Sequence, residues 1–228
     1  MIYTSNRETT KKSICVLFSC LLFLITFGKN SIAAEKAGDF DYFVLSLSWS
    51  PSYCAANGSR ANKAQCASGR PYAFVVHGLW PQYEKGWPDY CKSRFGTWID
   101  SSLIERMLPI MPSKPLVIHQ WRKHGTCSGL SPEDYFKQTE RAMARVKIPP
   151  AFSTIKRHVT VSPDKVEKAF RVANPGLNET SIAVTCDKKR LREVRICFDK
   201  DLDFRPCKAV DNAHCRAKSV VMPPIRSR

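Results

Sequence analysis

The cysteines constrain the fold of this chain more than any other feature of its sequence. The chain has ten cysteines in 228 residues, and two of them, Cys15 and Cys20, lie in the N-terminal leader described below. The remaining eight are Cys54, Cys66, Cys91, Cys127, Cys186, Cys197, Cys207 and Cys215. An even number of cysteines in an exported chain predicts disulfides, each contributing about 2–4 kcal/mol of stability. Eight cysteines can pair in on the order of a hundred ways, so their number leaves the connectivity open.

Residues 1–34 have the features of a secretory signal peptide. A basic start precedes the apolar run 13–27, and the small residues Ser31 and Ala33 follow it, as at a cleavage site. The run is shorter than the roughly 20 residues that span a bilayer, which argues against a retained membrane anchor. We therefore expect one mature domain over residues 35–228, with no stable membrane association after cleavage.

The expected mature domain is strongly basic. Of the 36 Lys and Arg residues and the 20 Asp and Glu residues of the chain, four and one lie in the leader, which leaves a net charge of +13 on residues 35–228. Basic charge on an exported domain favours polyanionic partners such as nucleic acid, anionic lipid or acidic polysaccharide. Charge alone does not choose among these partners, and it also serves solubility.

The pattern of apolar residues predicts a mixed fold. Runs rich in aromatic and β-branched residues indicate strands, whereas Ser131 and Ser162, each followed by a proline, are typical of helix starts. The predicted strands are 40–49, 72–80, 181–186 and 192–199, and the predicted helices are 98–111, 131–146 and 162–176. Because the strands lie early and late and no repeat divides the chain, we expect a single α+β domain.

The stretch HQWRKHGTC, residues 119–127, has the densest functional chemistry in the chain. If it begins as a helix, a rotation of about 100° per residue places four polar side chains on one broad face and turns Trp121 towards the core. These four are His119, Gln120, Lys123 and His124. One face would then present two imidazoles, an ammonium group and an amide.

A metal site is an alternative interpretation of this stretch. His119, His124 and Cys127 could supply three ligands to zinc. However, Cys127 is expected to be oxidised, and no C-x-x-C pair accompanies it. We therefore expect no metal and no other cofactor.

A third histidine completes a set that suits RNA cleavage. His77 ends an apolar strand, and in RNA a 2′-hydroxyl can attack the neighbouring phosphorus if a base, an acid and positive charge are provided. Histidines can supply the base and the acid near neutral pH. Trp80, Tyr83 and Trp87 offer faces on which unpaired bases could stack, although for Tyr83 core packing is the favoured interpretation.

Three segments of the chain, HGLWPQY, HQWRKHGTC and FDYFVLSLSWSPSYC, resemble those of the ribonuclease T2 family. The resemblance covers most of residues 39–217. We expect a monomer that is secreted or periplasmic, and the resemblance implies an α+β fold in which helices flank a central antiparallel sheet. It also implies an endoribonuclease that cleaves single-stranded RNA through a 2′,3′-cyclic phosphate, with little base preference and no metal.

The resemblance assigns a role to each residue that matches the family's motifs. His77 and His124 match the acid–base pair; our expectation is that His124 is the base of the transfer step and His77 the acid, although the sequence leaves that order open. Lys123 matches the lysine that stabilises the pentacoordinate phosphate, and His119 matches the histidine that holds the phosphate.

Three further positions match residues that contact the RNA bases, and a fourth departs from the family's pattern. Trp80 and Trp87 match base-stacking aromatic residues, and Gln82 lies where the family often has a polar residue that contacts the base. Gln120 occupies the position where the family usually has a glutamate, which it can replace as a hydrogen-bonding group but not as a charge. We expect a lower rate or a changed pH dependence, not loss of activity.

The resemblance also implies how the cysteines pair. It joins Cys91 to Cys127, which links the two active-site segments. The same analogy nests the pair Cys197–Cys207 inside the pair Cys186–Cys215, and it leaves Cys54 with Cys66 by exclusion.

Two other functions compete with a ribonuclease. The first is a binding protein that holds RNA or another polyanion in the same groove without cleaving it. Only Gln120 favours this alternative. The second is a metal-dependent hydrolase, for which no carboxylate cluster with ligand spacing is present in the sequence. Cleavage of plain RNA in EDTA would distinguish all three.

Overall fold

The computed structural model describes residues 36–226. The predicted leader, residues 1–34, lies outside the described residues. Residues 36–226 contain six strands: β1 (Tyr42–Trp49), β2 (Phe74–Gln82), β3 (Val159–Val161), β4 (Ile182–Cys186), β5 (Leu191–Phe198) and β6 (Val220–Met222). Seven α-helices accompany them: α1 (Ser50–Asn57), α2 (Lys63–Cys66), α3 (Ser101–Met107), α4 (Lys114–Lys123), α5 (Pro132–Arg145), α6 (Pro163–Ala173) and α7 (Lys208–Asn212). No helix within residues 36–226 has both the length and the apolar character needed to cross a membrane.

A four-stranded sheet in the order β2-β1-β5-β4 forms the centre of the fold, and every neighbouring pair in it is antiparallel. The expected α+β fold with an antiparallel sheet is therefore confirmed. A second, two-stranded sheet pairs β3 with β6.

The helix boundaries follow from local capping chemistry. Ser131 Oγ accepts the backbone N–H of Asp134 at the start of α5, and Ser162 does the same for Lys165 at the start of α6. The predicted helix over 98–111 is shorter in the structure, because α3 ends at Met107. Pro109 follows closely and has no N–H to continue the helix.

The two faces of the sheet differ in chemistry. In β1, Phe43, Leu45, Leu47 and Trp49 face one side and join the main core with Trp121 and the α5 and α6 residues Phe136 and Phe170. Tyr42, Val44, Ser46 and Ser48 alternate with them and face the opposite side. That opposite side, called here the polar face, also receives Glu193, Arg195 and Cys197 of β5, which pair in register with Ser48, Ser46 and Val44.

Four disulfides join cysteines in the described part of the chain. They join Cys54 to Cys66, Cys91 to Cys127, Cys186 to Cys215 and Cys197 to Cys207. These are the same four pairs that the family resemblance implies. The Cys91–Cys127 bridge links the segment after β2 to the short turn after α4, so it ties that segment to the C-terminal end of α4.

Candidate active site

A cleft of about 420 Å³ opens on the polar face. All eight residues that were predicted to be catalytic or base-binding line it, together with Arg195 of β5 and a short stretch of α7. The eight are His77, Trp80, Gln82, Trp87, His119, Gln120, Lys123 and His124. The structure thus brings the whole predicted set to one place.

A β-bulge in β2 is what presents His77 to this cleft. Ser46 of β1 pairs with Gly78 and Leu47 pairs with Val76, which leaves His77 as an extra residue without a partner. In a regular strand His77 and Trp80, three positions apart, would face opposite sides of the sheet. The extra residue of the bulge shifts the alternation of side chains by one position, so both side chains lie on the polar face. Their rings meet edge to face with centroids 5.1 Å apart.

Helix α4 supplies the residues on the other side of the cleft. Ser113 Oγ caps its first turn, and the helix runs to Lys123 with His124 at its C-terminal cap. Trp121 is fully buried and anchors the helix in the core, as predicted. Gly125 follows because a Cβ there would lie 2.4 Å from the Trp121 ring. This packing fixes the last turn, from which Lys123 and His124 project.

Gln120 lies at the base of the cleft, not at its mouth. It is only 1% exposed, and its Oε1 accepts a 2.8 Å hydrogen bond from Trp80 Nε1. A Cβ on Gly78 would be 2.0 Å from that oxygen, so only glycine allows the amide to reach the indole. Gln120 therefore orients Trp80 through this hydrogen bond.

The surroundings of His124 keep its imidazole neutral. The ring is 7% exposed and lies 5.4 Å from the Trp80 ring. Burial, followed by the charges of Lys123, His119 and His77, lowers the pKa of His124 to about 3. Burial and the same neighbouring cation, Lys123, also lower the pKa of His119. At pH values above about 3, His124 is therefore neutral and can accept a proton, as a general base must.

His77 has the opposite kind of neighbour. Its Nδ1 lies 2.6 Å from Oε1 of Glu193, while Oε2 of Glu193 accepts Arg195 Nε at 3.0 Å and Nη2 at 2.8 Å. Burial raises the pKa of the Glu193 carboxyl, but the hydrogen bonds and charges of His77 and Arg195 outweigh burial and lower it to about 2. A carboxylate, not a carboxylic acid, therefore contacts His77 at neutral pH.

Glu193 and Arg195 are the functional candidates that the sequence interpretation missed. The strand 192–199 was predicted, and its alternation already placed two charged residues on the face of Cys197. What the sequence could not supply is the strand order, which brings β5 within two strands of His77.

The predicted base-binding residues differ in accessibility. Trp87 is 57% exposed, so its ring is open to stacking. Trp80 is more enclosed, because the Arg195 guanidinium lies 5.2 Å over its ring and His124 tilts towards it. Gln82 Nε2 donates to the backbone oxygen of Pro81. Tyr83 packs against the main core, as favoured from the sequence.

The alternative metal site loses one of its ligands in this fold. Cys127 is bonded to Cys91, so its sulfur is not available beside His119 and His124. Within residues 36–226, no group of three His, Cys, Asp or Glu side chains is arranged to hold a metal ion.

Replacing Gln120 with glutamate should shift the pH–rate profile towards higher pH. The carboxylate would still accept the Trp80 indole N–H, but it would add a buried negative charge beside His119 and His124, which favours their protonated forms. The acid limb of a plot of log kcat/KM against pH should therefore move to higher pH. Gln138→Glu, at a half-buried position of α5 outside the cleft, provides the matched control. An unchanged profile for Gln120→Glu would contradict an electrostatic role for this position.

Comparison with known proteins gives a consistent result. The model of the "Ribonuclease T2 family" matches residues 40–207. A ribonuclease of Aeromonas hydrophila is 34% identical over 197 residues, which cover 83% of this chain and 86% of that protein. A probable ribonuclease of Haemophilus influenzae is 27% identical over 192 residues, which cover 79% of this chain and 65% of that protein.

A solved structure, that of RNase NT in complex with 5′-AMP, superposes with a TM-score of 0.63 at 27% identity. The match covers 82% of this chain and 99% of that one. The matched residues 40–207 include both histidine segments and the bulged strand. On the family match and on the Aeromonas relative together, the chain belongs to the ribonuclease T2 family.

Proposed function

We propose that this protein is an endoribonuclease that cleaves single-stranded RNA by transphosphorylation to 2′,3′-cyclic phosphates and then hydrolyses these to 3′-phosphates. One observation carries the proposal: two histidines of opposite electrostatic character flank the same indole. The rings of His77 and His124 lie 5.1 Å and 5.4 Å from that of Trp80. His77 contacts a carboxylate, whereas burial and nearby cations keep His124 neutral.

In the first step, neutral His124 takes the proton of the RNA 2′-hydroxyl. The 2′-oxygen then bonds to the neighbouring phosphorus, and the bond from phosphorus to the 5′-oxygen breaks. His77, protonated, gives its proton to the departing 5′-oxygen. In the second step water replaces the 5′-oxygen and the two histidines exchange roles, so the cyclic phosphate opens to a 3′-phosphate.

Positive charge at the phosphate comes from α4. Lys123 and His119 line the cleft beside the two catalytic histidines, where they would stabilise the charge that develops on the phosphoryl oxygens. Since side chains supply this charge, the mechanism needs no metal. Lys123 lies in the last turn of the helix that Trp121 anchors, so its backbone is held in place.

Little base preference is expected from the walls of the cleft. Exposed Trp87 can stack on any base because every base has a π face, and the side chain of Gln82 adds one polar contact. Relatives support nucleotide binding in general terms: RNase NT is described in complex with 5′-AMP and a variant of RNase MC1 with 5′-UMP.

We also propose that the protein acts as a monomer after export, in the periplasm or outside the cell. The expected signal peptide and four disulfides agree with an oxidising compartment. The net charge of +13 on residues 35–228 would draw RNA to the domain.

Cleavage of RNA homopolymers in EDTA is the direct test. Purified residues 35–228 should cut single-stranded poly(A), poly(U) and poly(C) at pH 5 and pH 7, and the early products should end in 2′,3′-cyclic phosphates when analysed by mass spectrometry. Cleavage that stops in EDTA would indicate a metal-dependent enzyme. Retention of RNA without cleavage at either pH would indicate the binding protein considered above.

A further inference from the structure

A carboxylate on β5 reaches a histidine on β2 across the whole width of β1. Glu193 pairs in register with Ser48, and Arg195 pairs with Ser46. Neighbouring strands are about 4.8 Å apart, so His77 lies two strand spacings from the Glu193 backbone. The small side chains of Ser46 and Ser48 leave the space above β1 through which the 2.6 Å contact forms.

The two carboxylate oxygens of Glu193 have separate partners. Oε1 contacts His77 Nδ1, and Oε2 accepts two hydrogen bonds from the Arg195 guanidinium. Glu193 is buried, with only 7% of its surface exposed. The Arg195 guanidinium that it binds also covers one face of Trp80. A single connected network therefore joins Glu193, Arg195, Trp80 and His77.

We infer that Glu193 is a positioning residue for His77 and that Arg195 holds the Glu193 carboxylate in place. The inference rests on the proposed function for its catalytic consequence. An ionised carboxylate only accepts hydrogen bonds, so His77 must carry a proton on Nδ1. Nε2 is then the nitrogen left for the cleft, where the leaving oxygen needs a proton.

The charges around His77 make Glu193 distinctive. The titratable and charged groups that face it come from α1, α4 and β5, and they are Tyr53, His119, Lys123, His124, Arg192, Glu193 and Arg195. Among these described residues, Glu193 is the one carboxylate. Without its charge, protonated His77 would face only cations and neutral groups.

Replacing Glu193 with glutamine should lower kcat by about 10- to 100-fold, part of the roughly 10²–10⁴-fold assigned to a positioned proton donor. KM should stay within about twofold, because Glu193 does not line the cleft. The alkaline limb of the pH–rate profile should move to lower pH. In a His77→Ala background the same substitution should cost nothing further, because a positioning residue acts only through the residue it positions.

A second readout does not depend on catalysis. In ¹⁵N-labelled protein, the imidazole signals of His77 should report the Nδ1–H tautomer, and Glu193→Gln should convert them to a mixture. If the parent protein fails to cleave RNA but this tautomer change occurs, the proposed function fails and the positioning role stands. An unchanged His77 spectrum and an unchanged pH–rate profile would overturn the inference.

Two variants keep the test independent of folding. Glu167→Gln is the matched control. The half-buried Glu167 carboxylate accepts the backbone N–H of Val184 on β4, which is the edge strand opposite β2 and His77. This substitution should lower stability without moving the pH–rate profile. If Glu193→Gln leaves Arg195 unpaired and the variant unfolds, the double substitution Glu193→Gln with Arg195→Gln removes both charges together. The double variant should show the same tautomer change.

Discussion

Replacing His124 with alanine should lower kcat/KM for RNA cleavage by about 10²–10⁴-fold, the range for a positioned general base. His124 lines the cleft, and burial and nearby cations keep its ring neutral, which is the protonation state that a general base requires. The measurement is single-turnover cleavage of a short oligonucleotide at pH 5 and pH 7. His158→Ala is the matched control, since His158 is exposed and has no predicted role.

Binding should survive the same substitution. Lys123 and His119 remain to hold the phosphate chain, and Trp87 remains to stack on a base. The dissociation constant of a non-cleavable 2′-deoxy oligonucleotide should therefore change by less than about threefold, since uniform binding and transition-state stabilisation are separate quantities. Cleavage by His124→Ala at the parental rate would remove His124 from the mechanism and leave its burial as a purely structural feature.

Replacing Gly78 with alanine should damage stability and activity together. The new Cβ would lie 2.0 Å from Gln120 Oε1 and 2.4 Å from Trp80 Nε1, so the hydrogen bond between these two side chains could not persist. Overpacking of this kind costs typically about 1–3 kcal/mol. Because the displaced side chains form the base and wall of the cleft, kcat should fall at least about tenfold, the loss expected when a catalytic group is misplaced by a fraction of an ångström. Urea unfolding and steady-state kinetics measure the two effects.

Two further variants identify the cause. Gly96→Ala, outside the cleft, adds a Cβ where nothing lies within 4 Å, although its φ of +67° is costly for alanine. It should cost about 1 kcal/mol from backbone strain alone and spare the chemistry. Gly78→Ala combined with Gln120→Ala removes the closest clashing atoms and should recover part of the lost stability without recovering the rate. Full stability in Gly78→Ala alone would contradict the close approach described here.

The elements with strong local signals were predictable from the sequence. Ser131 and Ser162 start α5 and α6 because their hydroxyls cap the first turn, which is a property of a few neighbouring residues. Likewise, helical spacing alone placed His119, Lys123 and His124 on one face and Trp121 in the core. Capping and helical spacing act over one or two turns, so a single sequence contains them.

Features that depend on pairing between distant strands were not predictable. The extra residue at His77 interrupts the period of two only when β1 supplies the register. The partnership of His77 with Glu193 spans 116 positions and depends on β1 lying between β2 and β5. The burial of Gln120 was missed for a related reason, since it depends on the gap that Gly78 opens in a neighbouring strand.

The Cys91–Cys127 bridge makes the completed cleft depend on where the protein is. In a reducing cytosol such cysteines are kept as thiols, and the segment with Trp87 would be held to α4 by contacts such as the Tyr90 N–H bond to the Lys123 oxygen. With the export proposed above, oxidation would join the two segments covalently. The covalent link would then form only after the protein has left the messenger and ribosomal RNA of the cell that made it.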